Sequence, residues 1–361
     1  MKERVVIAMS GGVDSSVAAA LLKRQGYEVI GMTMRFSLID SLRKKSNGCV
    51  NPGVADAQKV ARKLGIRHRV LNMQKVLEER VIKDFCQEYL KGKTPNPCIR
   101  CNQYIKFDAL LKKAISLGAK YLATGHYARV VKTPNSKLKT PNYLLKKAKD
   151  LHKDQSYFLY RLGQRQLKHI LFPLGNYTKI QVRKLAKKWG LPVADKLASQ
   201  EICFLPQLDY RRFLKRRMNK RMKPGPIVDN QGNLLGQHKG IPCYTIGQRE
   251  GLGIAKGYPL YVTKIDPKNN KIFVGKKEDA SKREFLVKKI HFILRPIKKK
   301  VAVEVKIRYN HTEVPAEVMS LDNGIKVCFR EPQFAITPGQ SAVFYNRDIV
   351  LGGGIIDRVL G

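Results

Sequence analysis

The feature that most constrains this chain is the way its first apolar run ends. Val5 to Met9 is continuously apolar, as expected of a strand buried on both faces. It breaks into Ser10-Gly11-Gly12-Val13-Asp14-Ser15-Ser16, and an Ala- and Leu-rich helical stretch follows from about Asp14 to Gln25, with Gly26 at the C-cap. Two glycines let the backbone turn tightly and approach an anion, and the free amides at the helix start hold negative charge. The hydroxyls of Ser10, Ser15 and Ser16 add donors, and Asp14 is placed to orient Mg²⁺ or an amide. No Gly-Lys-Ser/Thr follows, so this is not a Walker A loop, and the dinucleotide G-x-G-x-x-G pattern is absent from the chain.

Further strand and helix signals alternate behind this unit. Glu28 to Met34 and Arg67 to Leu71 read as strands, Val54 to Leu64 as a helix closed by Gly65, and Lys75 to Leu90 as a longer helix. Another helix is expected over Lys106 to Leu117, a strand from Tyr121 to Thr124, and a capping box at Thr178 to Gln181 opening a helix that ends at Trp189-Gly190. This order is the sequence form of a parallel sheet covered by helices. The character changes after about Cys203. A basic run from Arg211 to Lys223 leads to Pro224-Gly225-Pro226, then short strands between turns such as Asp266-Pro267, Asn269-Asn270 and Asp322-Asn323-Gly324. Val301, Val303, Val305 and Ile307 alternate with Ala302, Glu304, Lys306 and Arg308, a half-buried strand, so the last 75 or so residues read as a small all-β barrel or sandwich. The expected division is 1–205, 206–280 and 281–361.

Seventy Lys+Arg against 28 Asp+Glu give a formal charge of +42, which suits a polyanionic partner such as RNA. Part of that excess is Lys spread evenly along the chain, as compositional drift would leave it. No apolar stretch reaches the roughly 18 residues of a membrane helix. The N-terminus shows neither a signal peptide nor a transit leader, so a cytoplasmic protein is expected. Seven unevenly spaced cysteines point to a reducing compartment, where a special cysteine is catalytic or metal-binding.

Thr94-Pro95-Asn96-Pro97-Cys98-Ile99-Arg100-Cys101-Asn102 reads as a Pro-stiffened loop between two helices. Cys101, beside Arg100 and close to the next helix, is placed for thiolate character. Cys203 stands in Ile202-Cys203-Phe204, while Cys86 and Cys328 sit in apolar contexts suited to buried core.

The loop at Ser10 resembles the pyrophosphate loop (PP-loop) of N-type ATP pyrophosphatases. Other segments follow in order: Thr94-Pro95-Asn96-Pro97, Cys101-Asn102, Ala123-Thr124-Gly125-His126-Tyr127, Lys153-Asp154-Gln155-Ser156-Tyr157-Phe158, Ile202-Cys203-Phe204, Thr245-Ile246-Gly247-Gln248-Arg249, Thr337-Pro338-Gly339-Gln340 and Gly352-Gly353-Gly354. Together they resemble the tRNA-specific 2-thiouridylases over essentially the whole length. The resemblance implies an α/β, parallel-sheet adenine nucleotide alpha hydrolase-like (PP-loop) domain, a small central tRNA-contacting domain and a C-terminal all-β barrel.

The activity it implies is ATP-dependent 2-thiolation of wobble U34 in the Lys, Glu and Gln tRNAs. ATP, with Mg²⁺, adenylates the C2 carbonyl oxygen, and a protein persulfide then delivers sulfur. The nucleophile falls on Cys101 and the persulfide carrier on Cys203. ATP-binding positions fall on Ala8, Met9, Ser10, Gly11, Gly12, Val13, Asp14, Ser15, Met34 and Gly125. Asn96, Pro97 and Cys98 match the segment facing the target base. His126, Lys153, Asp154, Gln155, Arg308, Tyr309 and Gln340 match tRNA-contacting positions. The upstream partner implied is a sulfur donor such as a cysteine desulfurase or a sulfur-relay protein.

Cys98 stands where the family often has Asp, and Gln200-Glu201 stands where Thr-Gly often precedes the Ile-Cys-Phe segment. Three thiols, Cys98, Cys101 and Cys203, also suit a [4Fe–4S] cluster with one open iron. Other tRNA-modifying PP-loop enzymes, thiolating position 32 or 54 or making lysidine, and a basic RNA-binding protein with a decayed nucleotide site are the alternatives.

Overall fold

The computed structural model describes residues 2–36, 52–133, 142–197, 202, 204–205, 209–218 and 221–360. Its contacts divide the chain into two units: Met1–Val81 with Cys98–Pro206 and Asp348–Val350, and Ile82–Pro97 with Gln207–Arg347 and Leu351–Gly361.

The first unit is built on a five-stranded sheet ordered β3-β2-β1-β4-β7. Its strands are β1 (Arg4–Ala8), β2 (Glu28–Arg35), β3 (Arg67–Asn72), β4 (Tyr121–Thr124) and β7 (Ile170–Leu171), and every pairing is parallel. Two short strands between β4 and β7, β5 (Arg129–Thr133) and β6 (Asn142–Lys146), form an antiparallel hairpin. Val5, Val6 and Ile7 are fully buried, which explains the unbroken apolar run. Helix α1 (Val13–Arg24) packs its Val17, Ala18 and Leu22 into the same core, with Ala57 and Val60 of helix α2 (Pro52–Leu64) and Val182 and Ala186 of the Lys179–Lys188 helix. The helix ends at Gly26 and Gly65 adopt positive φ, and the capping box at Thr178 and Gln181 forms. β1 has neighbours on both sides whose connections run in opposite directions. The crevice beyond the carboxyl ends of β1 and β4 is therefore a topological switch point, where such sheets bind ligands.

The helix expected at Lys106 begins earlier. Pro97–Arg100 is already α-helical, Cys101–Leu110 widens into a π-helix, and Leu111–Ser116 returns to α. Cys98 and Cys101 consequently lie on a helix and not on the expected loop, which shortens to Thr94–Asn96. Proline is well tolerated at a first helical position, because its missing N–H would have no intrahelical partner there.

In the second unit β8 (Gly225–Val228), β9 (Leu234–His238), β10 (Tyr261–Asp266) and β11 (Lys271–Gly275) form a four-stranded sheet around Ile227, Val262, Ile272 and Val274. The first part of the basic run lies on a helix, Tyr210–Met218. Six longer strands follow: β12 (Ser281–Phe292), β13 (Val301–Lys306), β14 (Val314–Leu321), β15 (Gly324–Phe334), β16 (Ser341–Asn346) and β17 (Ile349–Leu360). They run in the order β12-β15-β14-β13-β16-β17, and β12 pairs back onto β17 to close a barrel. Val303, Val305 and Ile307 face its core, although Val301 at the strand start is exposed. Leu321 pairs with Gly324 across the expected hairpin turn. Cys86 is buried as expected; Cys328 is only half-buried, because its strand position turns it toward the barrel surface beside Glu284 and Lys326.

Candidate active site

The phosphate loop is tied together from inside. The Ser10 amide donates to Ser15 Oγ (3.2 Å), and the Ser15 and Ser16 hydroxyls donate to the Gly12 carbonyl at 3.1 and 2.8 Å. The first amide to close a helical bond is that of Ser16, onto Gly12 O. The Val13, Asp14 and Ser15 amides precede that ladder, in the position of an anion cradle. Gly11 has φ +74°, and a Cβ there would run into the Gly53 backbone. Gly125 is constrained by contact, since a Cβ would lie 2.7 Å from the Ser15 amide nitrogen. The end of β4 therefore rests directly on the first turn of α1, bringing Gly125 to the loop as the motif order implies.

Asp14 is not free to solvent. Lys179 Nζ donates to its two carboxylate oxygens at 2.5 and 2.7 Å, and the Tyr127 hydroxyl donates to Oδ1 at 2.8 Å. Burial, followed by the Asp14 charge, pushes the Tyr127 phenol well above its ordinary value, so this hydroxyl stays a donor. Lys179 is itself oriented by its backbone amide, which donates to Asp150 Oδ2. On the other side of the loop, Lys196 donates to Gly11 O (3.1 Å) and pairs with Asp56 (2.6 Å). Sequence reading missed Lys179, Tyr127 as a ligand of Asp14, and Lys196. The available signal for Lys179 was its place directly after the Thr178 cap, but nothing local ties it to a carboxylate far upstream.

On the cysteine helix Cys101 is buried and Cys98 half-buried. The adjacent Asn102 donates to Phe158 O at 3.1 Å, leaving its buried Oδ1 with no hydrogen-bond partner among the described residues; the buried Oε1 of Gln103 is in the same state. One π-turn after Cys101, Lys106 Nζ lies 3.4 Å from His126 Nε2. His126 Nδ1 is 2.7 Å from Thr124 Oγ1. Its ring also packs against Phe107 and Phe172, each with centroids 5.9 Å away. Burial, with the Lys106 charge added, holds the imidazole well below its ordinary value. An ammonium only donates, so the neutral ring accepts at Nε2 and donates from Nδ1 to Thr124. The expected tRNA-contacting histidine thus has both nitrogens engaged by protein groups.

The remaining candidates divide. Within Lys153-Asp154-Gln155 only Lys153 is exposed. Asp154 is buried and accepts from Ala148 N, Ser156 N and Ser156 Oγ, while Gln155 Oε1 accepts from the Tyr127 amide. Met34 lies near the end of β2, half-buried. In the second unit, Pro97 is buried and Asn96 half-buried, and Gln340 Nε2 donates to the Thr94 carbonyl just before them. Arg308 and Tyr309 follow β13, both half-buried, with Lys306 Nζ 6.0 Å from the Tyr309 ring centre. Cys203 lies outside the described residues, as does Cys49. Among the described residues there is no cluster of three His, Cys, Asp or Glu side chains able to hold a metal, and no helix long and apolar enough to cross a membrane.

Three family models match consecutive stretches: a tRNA methyl transferase HUP domain over residues 3–207, a tRNA methyl transferase PRC-barrel domain over 211–276, and an aminomethyltransferase beta-barrel domain over 282–356. A relative named tRNA-specific 2-thiouridylase MnmA 1, from Caldanaerobacter subterraneus subsp. tengcongensis, is 52% identical over 364 residues, covering 99% of each chain. The tRNA-specific 2-thiouridylase MnmA of Halothermothrix orenii is 50% identical over 358 residues, covering 98% of this chain and 99% of its own. Among solved structures, a 4-thiouridine synthetase–RNA complex with bound ATP is 16% identical, with a TM-score of 0.36 over 61% of this chain and 51% of that one.

Proposed function

The chain belongs to the tRNA-specific 2-thiouridylase family, and from that membership we propose that it uses ATP to replace O2 of wobble uridine U34 in tRNA with sulfur. The observation that carries the reading is the meeting of two motifs at one crevice. The phosphate loop rests against Gly125, and the cysteine helix reaches the adjoining His126 through Lys106.

ATP binds with its phosphates on the loop amides. O2 of the base attacks the α-phosphorus, and pyrophosphate leaves with the bonding electron pair. Asp14, the loop's own carboxylate, would be an oxygen ligand for Mg²⁺, and Lys179 holds it in place while offsetting its charge toward the phosphates. The cation would neutralise phosphate charge. Adenylation turns the C2 oxygen into the leaving group AMP. The terminal sulfur of a Cys203 persulfide bonds to C2 as the C2–O bond breaks. Cys101 thiolate then attacks Cys203 Sγ, closing a disulfide and leaving sulfur on the base, and an external thiol reduces that disulfide. The Lys, Glu and Gln tRNAs are the substrates in this reading, and the anticodon base enters at little cost because it is already single-stranded. Asn96, Pro97 and Cys98 face it, Lys153, Arg308 and Tyr309 hold the surrounding RNA, and Gln340 supports the Thr94 segment. A cysteine desulfurase or relay protein charges Cys203, and the site of action is the cytoplasm. The three-way division at 1–205, 206–280 and 281–361 assigns adenylation, sulfur transfer and the base-facing contacts to the first part and further RNA contacts to the others.

Mass spectrometry of tRNA nucleosides from cells lacking this protein tests the reading. Loss of 2-thiouridine from position 34 is expected, and its undiminished presence in a strain with no second homologue contradicts it.

A further inference from the structure

Three lysines approach the crevice, and two are already neutralised. Lys179 is held by both oxygens of Asp14, and Lys196 by Asp56. Lys106 differs. The residue is half-buried, its hydrogen-bond partner is His126 Nε2 at 3.4 Å, and no carboxylate pairs with it among the described residues. Because His126 is a neutral acceptor fixed from behind by Thr124, it orients the ammonium without cancelling its charge. A half-buried cation without a counter-ion favours a site for an anion. Its position specifies which one. Lys106 stands one π-turn beyond Cys101, and its partner His126 directly follows Gly125, which touches the Ser15 backbone. In the thiolation reading the departing pyrophosphate lies on the loop amides, and the phosphoryl group between them and the Cys101 end of the site is the α-phosphate.

We propose that Lys106 is a catalytic residue of adenylation, its ammonium contacting the non-bridging α-phosphate oxygens. The assignment rests on the thiolation reading and adds a residue to it. As base O2 bonds to the α-phosphorus and the bond to pyrophosphate breaks, Lys106 stabilises the charge gathered on those oxygens. It stays on the phosphate while the C2–O bond breaks and AMP departs. No proton or electron passes through it. His126 is a positioning residue, acting through Lys106.

The test is tRNA-dependent pyrophosphate release by the full chain, using ATP and tRNA bearing U34, with tRNA affinity measured in parallel. Lys106→Gln is expected to slow release at saturating tRNA by about 10²-fold. Its tRNA affinity should stay within about threefold of wild type and its thermal midpoint unchanged. Lys106→Arg, which keeps the cation, should recover at least about tenfold of the lost rate. Wild-type release by Lys106→Gln overturns the assignment. So does a defect confined to tRNA affinity, which would make Lys106 an RNA-backbone contact. If wild type itself releases no pyrophosphate with tRNA, the thiolation reading falls, and this assignment with it.

Discussion

Lys179 Nζ bridges the two carboxylate oxygens of Asp14 at 2.5 and 2.7 Å, joining residues 165 positions apart in the chain. The pair places a charge-compensated carboxylate at the first turn of α1, where a lone negative charge would oppose incoming phosphates. Lys179→Met therefore raises the KM for ATP by about tenfold, one strong charge interaction. Asp14→Asn lowers tRNA-dependent AMP formation by at least about 10²-fold with tRNA affinity unchanged. Steady-state kinetics with ATP varied separates the two; a wild-type ATP KM in Lys179→Met contradicts the role given to the pair.

Gly125→Ala tests the contact between β4 and the loop. The new Cβ meets the Ser15 amide nitrogen at 2.7 Å, so strand or helix must shift. Overpacking of this kind costs about 1–3 kcal/mol. We expect a lowered unfolding midpoint together with weakened ATP binding by calorimetry. Unaltered ATP affinity would mean that this close approach does not shape the nucleotide site.

Cys101→Ser and Cys203→Ser each abolish 2-thiouridine formation and leave tRNA affinity within about threefold, since a single oxygen replaces a single sulfur. AMP formation in the presence of tRNA persists, at least for one turnover, because adenylation precedes sulfur transfer. Sustained thiolation by either variant removes the relay.

Metal content separates the relay from a cluster. Anaerobically purified protein freed of iron should still thiolate tRNA when supplied with a persulfide donor. Activity that returns only with about four irons and matching sulfide per chain would instead assign Cys98, Cys101 and Cys203 as ligands.

Burial depresses four histidines, His68, His126, His238 and His311, with the Lys106 charge adding to His126 and the Arg308 charge to His311. Each binds its proton less readily folded than unfolded. The stability they confer is thus fully present above the unfolded value of about 6.5 and is lost as pH falls toward the folded values, by at most about 1.4 kcal/mol per pH unit for each. Thermal midpoints should drop between pH 7.5 and 5.5, and less steeply in His126→Gln. A midpoint that rises over that interval contradicts the neutral assignment.

The parallel-sheet unit was legible because its signals are local: an unbroken apolar strand, two glycines at a turn, helix caps at Gly26 and Thr178. The start of the cysteine helix was not, since Pro95-Asn96-Pro97 reads as loop until Pro97 is placed at a first helical position. The widening at Cys101 leaves no compositional mark. Cys328 looked like core from its apolar neighbours, but a strand's two-residue period put it near the surface. The loop positions followed from the motif, whereas Lys179, Lys196 and Lys106 acquire meaning only from partners distant in sequence. Asp154 and Gln155 matched RNA-contacting positions, yet their side chains hold the backbone of their own unit.

The central claim is that one crevice couples ATP cleavage to sulfur insertion at C2 of U34. Purified protein, ATP, a persulfide donor and unmodified tRNA bearing U34 should yield AMP and 2-thiouridine in about equal amounts, with none formed when C replaces U at position 34. AMP formed without thiolated product from a fully charged enzyme, or thiolation that needs no ATP, would contradict it.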